Sequence, residues 1–515
     1  MHSFGCQVGL FGLAWLRCQA GHFGCFGLVW LILAGPSLAA EVEPGEEVLL
    51  QSASVEVAIS THGGLPLRWL SCAGPCNDPD VPRQVLVAPD DGAIRWQADD
   101  AATADAMAST LYTATVHETP EALVAELRPV EEAGGTSRVQ RYELSRHSHV
   151  LRMTLQLPPG TGLQLTSGAR FVPPPLPGFG AAFSTVDAVR IDADGQHGIG
   201  PEESGVVAGL TASRAAWTGL RSRFWAWLVQ PATELPLLLR TLAPNRHELV
   251  WRAPDGQLDL TVYAGPVEWK SLRVVSAELT GTLFAALWEP LRWLCLGLLF
   301  LLGAISSRVG SEGLAIVLLS LAVKLILYPL THIADRWQAE VNRAQSRLQP
   351  RLAEIRRRFR GEEAHKLTLQ AYREEGVHPL YTFKSLAGFA IQVPMFIAAF
   401  DMLAGNFALD GVGFLWIADL AAPDRLAQLP FTLPFFGSDL NLLPFLMTAV
   451  SILAAVIQQE ASLNAELQAR QRRNLYLMAL AFFLLFYTFP AGMVLYWTAN
   501  NVWHLIKVLL MRRFA

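Results

Sequence analysis

The sequence predicts a membrane protein of two unlike parts, a β-sandwich with long loops followed by a transmembrane bundle of five helices carrying a helical hairpin. Three observations predict it. First, 52% of the 515 residues are hydrophobic, and the mean hydropathy of +0.30 exceeds what a soluble chain usually carries. Second, the apolar residues are unevenly spread: charged, Pro- and Gly-punctuated sequence fills most of 41–270, and long apolar runs crowd the region after 283. Third, the first region alternates with period two, as strands with one buried face do.

Residues 1–40 come first. An apolar run, Phe23 to Ala34, precedes GPSLAA, where Ser37 and Ala39 offer the small residues of a signal-peptidase site. Arg17 is the only firm positive charge before the run, so the segment reads either as a cleaved signal peptide or as a first transmembrane anchor; either would export the β-part. Of six cysteines, Cys6, Cys18 and Cys25 lie here. Cys72 and Cys76, in SCAGPC, either close a small disulfide loop in an oxidising compartment or stand as two reduced thiols in a turn.

Residues 41–270 form the β-part. In VLRMTLQL, Leu151, Met153, Leu155 and Leu157 face one way and Arg152, Thr154 and Gln156 the other; VEVAIS (55–60) and LDLTVY (258–263) repeat the alternation. Residues 271–310 are a linker and an apolar stretch. Only fifteen residues separate Arg292 from Arg308, short of the roughly 20 that cross a bilayer core. This stretch is therefore laid in the interface as an amphipathic helix, Trp288 and Trp293 at headgroup level.

Within 311–515 five spans are predicted: 313–331, 387–404, 442–457, 475–489 and 491–510, the last two joined by a tight turn at Pro490, Ala491 and Gly492. Residues 334–384 carry eleven Lys/Arg against seven Asp/Glu, whereas 406–441 hold four Asp and the single Arg425. The first loop is thus cytoplasmic. Threading the spans in order puts Arg470, Arg472, Arg473, Arg512 and Arg513 on the same side and residues 41–270 in the periplasm, in agreement with the export signal. The loop itself reads as a helical hairpin, with Leu348, Leu352, Ile355 and Phe359 at helical spacing. Its Arg356, Arg357, Arg358 and Arg360 are either a solvated face or a contact for anionic lipid, a targeting factor or the ribosome.

Nothing in the chain reads as catalytic. No nucleotide-binding Gly-rich loop, metal-ligand cluster or nucleophile elbow stands in a suitable context, so no cofactor and no metal is expected. Ser145, His147, Ser148 and His149 read as exposed strand and loop residues. A net charge of −5 without a basic patch interleaved with aromatics argues against a nucleic-acid substrate.

The chemical signal is a charge inside a span. Lys324, in LAVKLILYPLTH, lies seven residues before Thr331, about 10 Å from the cytoplasmic end. A lysine there costs on the order of 3 kcal/mol unless it faces water or a partner, or snorkels to the interface. Ser320 sits one turn earlier on the same face, and Gln392, Tyr496, Thr498, Asn500 and Asn501 supply further polar groups at membrane depth. Together they can line a wet, one-sided cavity, with Pro329 and Pro394 bending their helices beside it. Polar cargo would then rest against Lys324 while an apolar helix slides into lipid, with no covalent step.

These residues resemble the YidC/Oxa/Alb family of membrane protein insertases, in the form with a large periplasmic domain. The resemblance is carried by Lys324 with Tyr328, Pro329, Leu330 and Thr331, by Gln349 and Pro350, IQVPMF (391–396), FLWIADL (414–420) and FPAGMVLYW (489–497), and outside the core by THGGLP (61–66) and YAGP (263–266). It implies a supersandwich-like periplasmic domain and five core helices around a cytoplasm-open hydrophilic groove. Its groove charge maps onto Lys324 and its polar lining onto Ser320, Gln392 and Tyr496, with Trp497 and Asn500 beside them. It also implies insertion and folding of inner-membrane proteins, alone or with the Sec translocon. The partners it implies are nascent membrane proteins, the lipid bilayer and, through cytoplasmic loops, the ribosome.

The sequence departs from the family pattern in places. Lys324 replaces the usual Arg and lacks its planar fork, HPLYTF (378–383) lacks a common Gly pair, and Trp497 stands where a second Tyr is frequent. The tail after Arg513 is too short for a ribosome-binding extension, leaving the hairpin or the loop near Arg470. One rival is a secondary transporter or channel with Lys324 as an anion site, but it should show internal repeats with paired broken helices, and none is visible. A membrane-tethered periplasmic binding or polysaccharide-processing enzyme is the other.

Overall fold

Leu151, Met153, Leu155 and Leu157 are all buried and Arg152 and Gln156 exposed, so the alternation read in the sequence is the alternation of the fold. The computed structural model describes residues 40–515 apart from 80, 132–137, 169, 201–204, 375–386, 458–464 and 515. The segment read as an export signal, with Cys6, Cys18 and Cys25, and HPLYTF lie outside the described residues. From Ala40 to Pro266 the chain makes three antiparallel sheets of ten, five and four strands. In the largest, Val150–Gln156 pairs with Gln257–Pro266 (Met153 opposite Leu260), which pairs in turn with Trp225–Pro231. The sheets share one core, whose largest fully buried side chains include Trp69, Tyr142, Trp251 and Tyr263.

Two short motifs are explained by this core. In THGGLP, Gly63 has φ +84° and a Cβ there would stand 2.8 Å from the Ala108 carbonyl oxygen, so a side chain is excluded twice over. The carbonyls of Gly63 and Gly64 accept from Trp96 Nε1 (2.8 Å) and from the Tyr142 hydroxyl. In YAGP, a Cβ on Gly265 would lie 2.7 Å from the His149 ring. His149 is buried, not exposed as the sequence suggested, and its Nε2 bonds the carbonyl oxygen of Cys72 at 2.8 Å. Burial outweighs that bond and holds the imidazole below its ordinary range. Cys72 and Cys76 are joined by a disulfide, Cα–Cα 5.4 Å.

The helices run in order α1 (Ala101–Ser109), α2 (Trp269–Val275), α3 (Glu289–Val309), α4 (Glu312–Arg358), α5 (Gly361–Glu374), α6 (Ala387–Ala404), α7 (Leu443–Ile457), α8 (Ala465–Phe486) and α9 (Ala491–Phe514). Among the described residues, α3 and the apolar part of α4 are long and apolar enough to cross a bilayer, while 390–404 and α7 are shorter apolar helices. Helix α3 has 21 residues, with Arg292 in its first turn and Arg308 in its last. The Arg292 Nη2 reaches back to the Thr280 carbonyl at 2.8 Å. Leu291, Cys295, Leu298 and Leu302 form its buried stripe; Trp288 and Trp293 are each 66% exposed.

Helix α4 is 47 residues long, a single helix that includes Pro329 and Pro350 and unites the first span with the outgoing arm of the hairpin. Its distal end packs with α5 around Leu348, Ile355 and Ala371, with Leu352, Phe359, Leu367 and Tyr372 at the edge. Gly361 turns the chain with φ +66°.

The β-part sits directly on the helical part. Arg223 Nε donates to the carbonyl of Ala404, the last residue of α6, at 2.6 Å, and Nη1 to Ala421 at 2.7 Å. Its guanidinium lies over Phe224, 4.4 Å from the centroid. Phe224 and Trp225 meet Phe407 edge to face, and Phe183 meets Phe489. Nothing in the local sequence pattern marks this joint.

Candidate functional site

Lys324 lies twelve residues beyond Glu312 on α4, about 18 Å along the helix. It is half-buried, and its Nζ donates to the carbonyl oxygen of Asn500 at 3.0 Å and to Asn500 Oδ1 at 2.5 Å, both on α9. Among the described residues the charge is neither without partners nor paired with a carboxylate. It is held by two neutral oxygens at a helix seam, which leaves its positive field uncancelled.

Helix α9 is placed to do this from its first turn. The free N–H groups of Ala491 and Gly492 donate to the carbonyls of Ala422 and Leu420 at 2.7 and 2.8 Å, supplying the partners that a helix N-terminus lacks. Asp419 braces the same loop by accepting from Gly411 N and Ala421 N. Farther along, Asn501 Nδ2 donates to Ser451 Oγ of α7 at 2.8 Å, and Trp503 Nε1 reaches the Val317 carbonyl of α4 at 3.4 Å.

The other expected groove residues divide. Asn500 meets Lys324 directly. Ser320 is 1% exposed and its hydroxyl donates to Val317 O of its own helix at 2.7 Å, so it turns inward. Tyr496, 7% exposed, lies one turn before Asn500 on α9. Gln392 is exposed on α6. Trp497 sits among Phe396, Phe482 and Phe486 at 4.9, 5.5 and 6.0 Å between centroids, an aromatic setting that suits an indole. In the hairpin, Arg357, Arg358 and Arg360 are exposed, with Arg358 paired to Glu354 at 3.0 Å; the Arg356 side chain lies outside the described residues.

The seam continues past Lys324 and Asn500 through Tyr328 of the family motif and through Asp335, His504 and Lys507, which the sequence reading did not single out. Asn500, His504 and Lys507 stand at i, i+4 and i+7 on α9, and Lys324, Tyr328 and Asp335 at i, i+4 and i+11 on α4. Lys507 Nζ stands 3.0 Å from Asp335 Oδ2 and 5.9 Å from the centre of the Tyr328 ring. Polar residues at helical spacing in an otherwise apolar span were the available signal.

Residues 304–515 match the family described as 60Kd inner membrane protein. Through this helical part, the chain is similar to the YidC/Oxa/Alb family. Similar proteins include the membrane protein insertase YidC of Janthinobacterium sp. (strain Marseille), 28% identical over 319 residues that cover 58% of this chain and 52% of that protein. The protein of the same name from Prosthecochloris aestuarii is 26% identical over 343 residues, covering 64% and 56%. The chain thus spans about half the length of these relatives. A solved structure of an active YidC insertase with its first transmembrane domain resolved covers 92% of this chain and 93% of its own, at 16% identity and a TM-score of 0.34, too low a score to argue from. The family match covers all the residues of the seam, so Lys324 and its neighbours belong to the family part of the chain.

Proposed function

We propose that this protein inserts and helps fold membrane proteins in a bacterial inner membrane, with the α4–α9 seam as one wall of a groove open to the cytoplasm. The observation that carries the reading is Lys324, a half-buried ammonium in an apolar helix, held by Asn500 and, among the described residues, without a carboxylate against it. An acidic or polar outer segment of a client can rest against that charge through part of the membrane, while the client's apolar helix partitions into lipid and supplies the drive. No nucleotide and no catalytic group enters the process.

The rest of the reading comes from the charge pattern. Residues 1–40 export the chain, 41–270 form a periplasmic supersandwich-like domain that serves as an accessory docking surface, 271–310 carry a linker and α3, laid along the outer interface with the exposed Trp288 and Trp293 at headgroup level, and 311–515 form a core of five spans. The hairpin of α4 and α5, within 334–384, faces the cytoplasm, where its arginines meet anionic lipid or the ribosome; the Sec translocon is the expected neighbour for multi-span clients. The family match of 304–515 and the asymmetry of Lys and Arg between loops support this arrangement.

The decisive experiment is insertion of a single-span client with an acidic outer tail by the full-length protein. Lys324→Ala should slow it by roughly tenfold, the equivalent of a charge-assisted contact worth about 1.4 kcal/mol, and Lys324→Arg should keep it. Equal insertion by all three proteins would remove the charge from the mechanism.

A further inference from the structure

The pair of Lys507 and Asp335 does little to join α4 to α9. Both side chains are open to solvent, 35% and 64% exposed, and such pairs contribute about 0–1 kcal/mol. The helices are already tied by Lys324 to Asn500, by Trp503 to Val317 and by their apolar packing. Nor does Lys507 simply serve the C-terminal end of α9, since it is aimed sideways at Asp335 and the Tyr328 ring on the opposite helix. It lies seven residues beyond Asn500, about 10 Å farther along the seam that holds Lys324.

We infer that Lys507 is a second contact point for acidic segments of a client, and that Asp335 holds its place until one arrives. The inference rests on the insertase reading and deepens it. A client carboxylate displaces the Asp335 carboxylate, like for like, and passes from Lys507 to Lys324 along one seam. Because the exposed pair is weak, exchange is easy. Because Asp335 occupies the ammonium meanwhile, clients without acidic residues gain nothing from it. The ligand class is therefore a polypeptide segment bearing Asp or Glu.

The test uses the full-length protein in proteoliposomes and two versions of one single-span client, with an acidic outer tail and with the same tail as amides. Lys507→Gln should slow the acidic client at least threefold and leave the amide client unchanged, while Lys507→Arg keeps both rates. Asp335→Asn, which frees the lysine, should raise photocrosslinking to the acidic tail from a probe at position 331, one turn from Asp335 on α4 and leaving Lys507 in place. Equal effects of Lys507→Gln on both clients would make the pair structural and overturn the inference. So would normal insertion of both by Lys507→Gln in a preparation where Lys324→Ala still impairs the acidic one. If Lys324→Ala is silent as well, the groove charge itself is refuted.

Discussion

Arg223 and Asp410 show how single side chains join the two parts of this molecule. Arg223 reaches the last carbonyl of α6, where the helix dipole favours a cation, and burial nevertheless draws it down to about 10 against the pull of Asp410 and Asp419. Asp410 moves the other way. Burial first, then the like charge of Asp419, lifts its carboxyl from 3.8 to about 6, with Arg223 opposing. A raised folded-state value means that the neutral form is favoured, so this group's contribution to stability is complete below 3.8 and is lost as pH rises through about 6. Asp410→Asn should therefore stabilise the protein at pH 7.5 by about 1–2 kcal/mol, allowing for partial exposure, and flatten its stability between pH 5 and 7.5. Thermal unfolding in detergent, followed by tryptophan fluorescence, measures this; parallel pH profiles for variant and parent would place the titration elsewhere. Neither residue stood out in the sequence, because each gains its meaning from a partner on a distant segment.

The helical hairpin is the element whose sequence reading and structure agree best. Leu348, Leu352, Ile355 and Phe359 recur at helical spacing, and the structure places all four in one small cluster with α5. That cluster is separate from the main core, so damage to it should stay local. Leu348→Ala is expected to cost about 2 kcal/mol and to raise hydrogen exchange across 340–374 while leaving the β-part protected. Exchange spreading into the sheets would show that the hairpin is coupled to the rest. The prolines of α4 are a contrast. Rules for isolated helices end or kink the chain at Pro329 and Pro350, yet α4 runs through both, since packing on α3, α6, α9 and α5 outweighs one lost backbone bond at each. In helix α3, the long Arg292 side chain carries its charge back to the Thr280 carbonyl, away from the helix axis.

For the molecule as a whole, the threading of the spans makes a sharp prediction. A cysteine placed at Gly361, in the exposed turn between α4 and α5, should react with a membrane-impermeant thiol reagent only after the cytoplasmic face is opened. Reaction from the outside would reverse the orientation assigned to every loop. Much of this architecture could be read from residue order alone: strands from period two, apolar helices from long uncharged runs, the hairpin from its stripe, and Lys324 from its incongruity. These are short-range regularities, repeated every two to four residues, and burial of one face is enough to impose them. The joint at Arg223, the inward turn of Ser320, the burial of His149 and the column from Lys324 to Lys507 could not be read that way. The partners there lie 181 residues apart for Arg223 and Ala404, 176 for Lys324 and Asn500, and 172 for Lys507 and Asp335. Which groups meet across such distances depends on how whole helices and sheets close against each other, and only that packing turns scattered polar residues into a seam.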